Sequence, residues 1–365
     1  MFSVYSVGKK LVGAKPGRQS APMSSSYKVS IDDYRAFRRD GYVVIPGLVP
    51  PADIQELRDH TEDLMQGRVP QQHPDTPEAD RLPLPAAHLS PLEKAQFVAR
   101  IHMLHRQVPL HERYLLHPRV LDVLETLIGP DILALQTMLF LKPPGSQGQG
   151  WHQDTFYIPT HPDTLCGAWI AIDDCDEYNG AMWMAAGSHV EPVYPPPKTE
   201  PWYGDRQLPG VPEVASVSDN DEAKNQLSPV ANRYPQLLVP AKAGDVVFFN
   251  GHVLHRSKTN VTTDRFRRAF VSHYCNARSF TQWGPITGTN APKQDPVTLM
   301  SSASHILARG DTHLPHAKPR FGTPCAALED PKTRRKNHRF IPSAVGNLAT
   351  QDMDLKPAEP GLDTH

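Results

Sequence analysis

Ile132-Leu-Ala-Leu-Gln-Thr-Met-Leu-Phe-Leu-Lys142 is an almost unbroken apolar run. Pro143-Pro-Gly145 stops it, and a turn rich in glycine, Ser146-Gln-Gly-Gln-Gly150, leads on into Trp151-His-Gln-Asp154. A short apolar run closed by proline and glycine reads as a buried strand. The same punctuation continues downstream. β-type runs recur at residues 164–172, 181–184, 236–239, 245–249 and 266–274, with turns at Tyr178-Asn-Gly180, Ala186-Gly-Ser188 and Ala243-Gly-Asp245 between them. Short strands separated in this way predict a barrel or jelly roll. The expected fold class is mainly β with flanking helices: a double-stranded β-helix, cupin-like, behind an N-terminal helical region.

Upstream of residue 132 the period is helical. Ser30-Ile-Asp-Asp33 reads as an N-cap with acids in the first turn, and Gly41-Tyr-Val-Val-Ile-Pro46 as a short strand. Residues 51–65 space Ile54, Leu57 and Leu64 on one helical face. A polar, proline-rich loop or lid follows to about Pro91, and two more helices are expected over 92–104 and 120–128, the second stopped by Gly129-Pro130. The organisation is one domain over 29–310, with its barrel core at about 131–275. Residues 191–235 form an insertion, read as a loop covering the substrate. Residues 1–28 are expected as a disordered leader and 311–365 as a poorly ordered extension.

Composition narrows the function. Lysine plus arginine (38) balances aspartate plus glutamate (39), which excludes the basic footprint of a nucleic-acid binder. No apolar run is long enough for a membrane span. The four cysteines are scattered without a C-x-x-C pair, which fits a reducing, cytoplasmic setting. Lys9, Lys10, Lys15 and Arg18, with no acid before Asp32, leave organellar targeting as an alternative. Proline stands out at 38 residues, and must concentrate in loops and at the starts of elements.

Two imidazoles and one carboxylate on one face of iron(II) leave positions open for a bidentate ligand and for dioxygen. Among 18 histidines, H-x-D/E triplets start at His60, His73, His152, His161 and His189. His60 falls on a helix surface, His73 in a polar loop, and His161 and His189 after turns. Only His152 and Asp154 follow a strong strand and a glycine turn, which sets them at a strand start with Gln153 facing away. The second histidine comes after Gly244-Asp-Val-Val-Phe-Phe249, as His252 or His255. His255 is preferred because Ser257 shares its strand face. Arg267, in the next strand run, can grip a carboxylate through its planar fork.

From Phe37-Arg-Arg-Asp-Gly-Tyr-Val-Val-Ile-Pro-Gly47 to about Tyr274 the chain resembles the phytanoyl-CoA dioxygenase family of iron/2-oxoglutarate oxygenases. The resemblance is carried by Gly129-Pro-Asp-Ile132, Thr137-Met138, Lys142-Pro-Pro144, His152-Gln-Asp154, Ala168-Trp169, Gly187-Ser-His189, Gly244-Asp245, His255-Arg-Ser257 and Phe266-Arg-Arg-Ala269. It implies a jelly roll with Fe(II) on His152, Asp154 and His255. It also implies that Arg267 and Ser257 bind the distal carboxylate of 2-oxoglutarate, that Met138, Gln153 and Trp169 line the cosubstrate pocket, and that Arg100 stands where the family places a lysine. The chemistry implied is oxidation of a C–H bond by O2 with release of succinate and CO2, with ascorbate stimulatory. Asp154 fills the position that family halogenases leave to chloride. Two other readings stand beside this one: a non-catalytic ligand-binding jelly roll, and a cupin-type metal enzyme that does not use 2-oxoglutarate. The expected partner is a small molecule: a lipid or CoA thioester, a terpenoid or other secondary metabolite, or an amino-acid derivative. Nothing in the residues sets an oligomeric state.

Overall fold

The computed structural model of the chain describes residues 26–68, 85–102, 105, 108–194, 220–279, 306–311, 318–319 and 326–327. Its first elements form where the sequence places caps. α1 (Ile31–Asp40) starts at Ser30, whose side chain accepts the Asp33 N–H at 3.0 Å, and ends at Gly41 with φ 81°. That left-handed residue suits glycine and turns the chain into β1 (Tyr42–Ile45). α2 (Pro51–Met65) opens on proline, where a missing N–H is harmless. α3 (Pro91–Phe97) carries a full capping box, Ser90 with Glu93. The helix expected over 92–104 ends there. Arg100–His102 is instead strand β2, because an extended chain here can pair with the open edge of β3 (Ile132–Phe140). α4 (Pro109–Leu115), which the sequence reading missed, and α5 (Pro118–Ile128) complete the helical layer.

The remaining strands are β4 (Gln149–His152), β5 (Cys166–Ala171), β6 (Met182–Ala185), β7 (Gln236–Val239), β8 (Val246–Asn250), β9 (His255–Ser257) and β10 (Ala269–Asn276). Past the expected barrel core come β11 (Ile306–Arg309), β12 (Lys318–Pro319) and β13 (Ala326–Ala327). The larger sheet runs β1-β8-β5-β10-β3-β11-β13-β12, with β2 also on β3; the smaller runs β4-β9-β6-β7. Every pairing is antiparallel. This two-sheet jelly roll is the expected fold class.

The apolar strands lack polar alternation because the large sheet is buried on both faces. On β8, Val246 and Phe248 pack under the helices with Leu57, Leu64 and Leu124, while Val247 and Phe249 enter the barrel. On β5, Ile170 goes outward and Trp169 inward by the same two-residue period. The described ends of the insertion, with α6 (Ser228–Ala231), close on the outer face of the small sheet through Tyr194, Leu227, Val230, Trp151 and Leu254. These ends cover the back of the small sheet; residues 195–219 of the insertion lie outside the described residues.

His60, expected on a helix surface, is buried. Its Nε2 lies 2.8 Å from Nε2 of His111 on α4, so one imidazole N–H donates to the other ring. Burial pushes His60 down from 6.5 to about 4 and His111 well below its ordinary value. A histidine with a lowered folded pKa stabilises the fold fully above its unfolded value. That contribution is lost as pH falls from about 6.5 toward 4, because the unfolded chain takes up the proton first. His60 alone should cost roughly 3 kcal/mol between pH 7 and pH 4, at about 1.4 kcal/mol per unit. Urea titrations across this range should show the slope, and the double variant His60→Leu, His111→Leu should flatten it. An unchanged slope in that variant would reassign the acid sensitivity.

Candidate metal centre

β4 and β9 are registered so that His152 stands directly opposite His255. Their ring centroids are 4.1 Å apart. Gly148 permits this approach, since a Cβ there would run into the Ser257 carbonyl. His152 Nδ1 lies 2.8 Å from the Gly150 carbonyl, and His255 Nδ1 lies 3.0 Å from that of Val253. A carbonyl only accepts, so each Nδ1 carries the proton and each Nε2 turns a lone pair to the centre. This is the arrangement in which histidine ligates a metal.

The expected strand start is in fact a strand end. After His152 the chain leaves the sheet through Gln153 and makes a 3-10 turn, Asp154–Phe156. That turn places Asp154 Oδ1 3.6 Å from both Nε2 atoms. The three ligand atoms lie within 4.8 Å of one another, so the donor set fits a divalent ion such as iron(II). Burial, then His255, pushes the His152 imidazole down to about 3 and keeps it neutral. For Asp154 burial opposes the charge, but His255, His273 and His152 outweigh it and hold the carboxyl well below its usual range.

His273 is the residue that sequence reasoning missed. Its Nε2 lies 2.7 Å from Asp154 Oδ2. Oδ1 faces the histidines while Oδ2 is engaged, so the carboxylate offers one oxygen to an ion. Alternation on β10 puts His273 on the inward face with Val271, but an inward histidine is more often a plain core residue. His273→Phe should weaken Co(II) binding about 10–100-fold with the fold retained, the usual cost of losing an outer partner of a ligand. A visible-absorbance titration of Co(II) against both proteins measures this; equal affinities would leave His273 a packing residue only.

The other histidines are placed elsewhere. His252 Nδ1 lies 2.8 Å from the Glu191 carbonyl and its Nε2 pairs with Asp163. Burial alone would lower His252, but the Asp163 carboxylate reverses this and raises it. His161 is exposed and His189 packs against Gly41, while His73 lies outside the described residues.

Arg267 lies just before β10, not within it as expected, with its N–H on the Lys142 carbonyl at 3.1 Å. It is 5% exposed, and its guanidinium carbon stands 5.7 Å from the Trp169 ring and 5.9 Å from that of Phe140. Its Nε has no partner, and burial lowers the guanidinium to about 10. Arg268 turns away to Asp173 (2.8 Å) and Glu62 (2.7 Å). Val271 is opposite both Met138 and Trp169, so those two share the inward sheet face. Ser257 follows His255 on β9 by two residues and faces the same way. Arg100 is opposite Phe140, hence on the inward face, with its side chain exposed. Gln153 does not join this group. Its amide donates to the Pro192 and His252 carbonyls, both at 3.0 Å, and accepts the Tyr194 N–H at 3.3 Å, which ties the insertion to the metal strand. A cavity of about 460 Å³ is lined by Trp151, Glu222, Asn225, Arg256, Ser257 and Lys258.

The two-sheet double-stranded β-helix brings two histidines and one carboxylate together inside it, the donor set of a non-haem iron site. The model of the phytanoyl-CoA dioxygenase (PhyH) family matches residues 37–269, and the chain belongs to that family. It is 27% identical over 260 residues to the peroxisomal phytanoyl-CoA dioxygenase of Homo sapiens, covering 68% of this chain and 69% of that protein. It is 26% identical over 302 residues to phytanoyl-CoA dioxygenase domain-containing protein 1 of Danio rerio, covering 72% of this chain and 96% of that one. Among solved structures, EctD from S. alaskensis in its apoform superposes with a TM-score of 0.51 at 20% identity, covering 74% of this chain and 87% of that one. The epimerase SnoN, in complex with Fe3+, alpha ketoglutarate and nogalamycin RO, gives a TM-score of 0.50 at 22% identity over 72% and 92%. These likenesses establish the shared fold. No described helix is long and apolar enough to cross a membrane.

Proposed function

We propose that the protein hydroxylates an unactivated C–H bond of a small organic substrate, consuming 2-oxoglutarate and O2 and releasing succinate and CO2. One observation carries this reading: the His152–Asp154–His255 donor set and an anion-seeking Arg267 open into the same barrel. Iron(II) held there supplies O2 activation coupled to decarboxylation of the oxoacid. The chain's own residues supply the rest. His152 and His255 present Nε2 lone pairs, Asp154 adds the carboxylate, and Arg267 with Ser257 receives the distal carboxylate of the cosubstrate. Met138 and Trp169 keep that seat dry, and Arg100 closes the inward face near Phe140. With Asp154 in the third ligand position, hydroxylation is favoured over chlorination.

The substrate is proposed to be a lipid or CoA thioester, a terpenoid or other secondary metabolite, or an amino-acid derivative. Buried free thiols at Cys166, Cys175 and Cys275 support a reducing setting such as the cytoplasm. Incubating the protein with Fe(II), ascorbate, 2-oxoglutarate and a metabolite panel should give substrate-stimulated succinate. No succinate in any condition, with or without substrate, would favour a ligand-binding jelly roll instead.

A further inference from the structure

Lys142 lies just past the end of β3 and is 5% exposed. Its Nζ donates to Ser257 Oγ at 3.3 Å and to the Lys258 carbonyl. No carboxylate among the described residues pairs with it, nor with Arg267, whose backbone N–H is bonded to the Lys142 carbonyl. Gly180 keeps the space open: a Cβ there would sit 2.7 Å from Lys142 Nζ. Two basic side chains are thus buried side by side, and Asp173, the carboxylate whose field reaches Arg267, is bonded to Arg268 instead. Such an arrangement is expensive unless an anion completes it.

We propose that Lys142 and Arg267 form a two-cation seat for one carboxylate of the cosubstrate, with Lys142 also fixing the Ser257 hydroxyl that borders it. The inference rests on the reading that the cosubstrate is 2-oxoglutarate. An ammonium hydrogen-bonded to Ser257 Oγ occupies one of its lone pairs, which leaves the Ser257 O–H free to donate to a carboxylate. The seat then offers a fork, an ammonium and a hydroxyl, all donors, and prefers a carboxylate over any neutral group of the same shape.

The seat also has a proton to gain. Burial, then the Arg267 charge, pushes the Lys142 ammonium down to about 6. The other charged groups nearby are already committed. Asp176, on the Gly180 turn, is held by Arg265, and the Lys258 ammonium lies over the outward Trp183 ring. An arriving carboxylate favours the charged form of Lys142, so binding near pH 7.5 takes up a proton.

Calorimetric titration of 2-oxoglutarate into the Mn(II)-loaded full chain tests this, in two buffers of different ionisation enthalpy. The wild type should take up a proton. Lys142→Met should lose that uptake and bind at least about tenfold more weakly, the usual scale of one charge-assisted hydrogen bond. Lys142→Arg should restore much of the affinity without the uptake. 2-Oxobutyrate, which keeps the chelating end and lacks the distal carboxylate, should bind wild type and Lys142→Met alike. Equal weakening of both oxoacids in Lys142→Met would make the residue a structural prop for residues 257–258, and unchanged 2-oxoglutarate affinity with no proton uptake would remove it from the seat; either result overturns the proposal. Failure of 2-oxoglutarate to bind the wild type at all would instead overturn the cosubstrate reading, and this proposal with it.

Discussion

His255→Ala should abolish turnover and weaken Fe(II) binding by more than about 100-fold, beyond the range of losses at outer partners of a ligand. The same is expected of His152→Ala and Asp154→Ala. Each change removes one of three atoms that lie within 4.8 Å of one another, and two donors cannot hold a face of an octahedral ion. His252→Ala provides the contrast. Its ring is spent on the Glu191 carbonyl and Asp163, so Fe(II) affinity should stay at the wild-type level. Anaerobic Fe(II) titration of the four variants, with circular dichroism to confirm folding, separates these outcomes. Loss of metal in His252→Ala with retention in His255→Ala would mean that the wrong histidine has been assigned.

The second large effect is expected at Arg267. Arg267→Ala should raise the Michaelis constant for 2-oxoglutarate by roughly two or more orders of magnitude. Removing one partner of a buried ion pair costs about 3–5 kcal/mol, at about 1.4 kcal/mol per decade. Arg267→Lys should fall between, since an ammonium keeps the charge and loses the fork. Iron affinity should be unchanged in both, because Arg267 does not touch the ligand set. Arg268→Ala should leave the constant unaltered and lower stability, since its guanidinium ties Asp173 and Glu62 on the outer side. If Arg268→Ala raised the constant and Arg267→Ala did not, the side-chain directions at the start of β10 would be reversed.

Much of the fold was legible in the residues because its signals are local. Ser30 with Asp33 and Ser90 with Glu93 are caps that act within one helical turn. The apolar runs that became β3 and β8 are closed by glycine and proline in their own neighbourhood. Where the sequence reading failed, the deciding partner lay far along the chain. β2 is extended because β3 offers it an edge far along the chain, at Met138–Phe140, not because Arg100-Ile-His102 resists a helix. β11 joins β3 from the far side, beyond the expected end of the barrel. His60 looks like a helix-surface residue until α4 brings His111 against it.

The sequence proposed His152, Asp154 and His255 as ligands and Arg267 as the carboxylate partner; what it determined by itself were the helical caps and the strand runs. Each depends on spacing along one segment, where a two-residue period or a single turn sets the side-chain direction. The tertiary structure decided what lies between segments. The β4–β9 register puts His152 opposite His255, and the turn after β4 aims Asp154 at both. Folding β10 over the centre supplies His273, and the approach of β9 to the end of β3 sets Lys142 beside Ser257 and Arg267. Gln153 found its partners in the same way, in the backbone of Pro192, Tyr194 and His252. A buried polar group must take whatever partner the fold brings within hydrogen-bonding distance, and that partner's position is not written in its own neighbourhood of the chain.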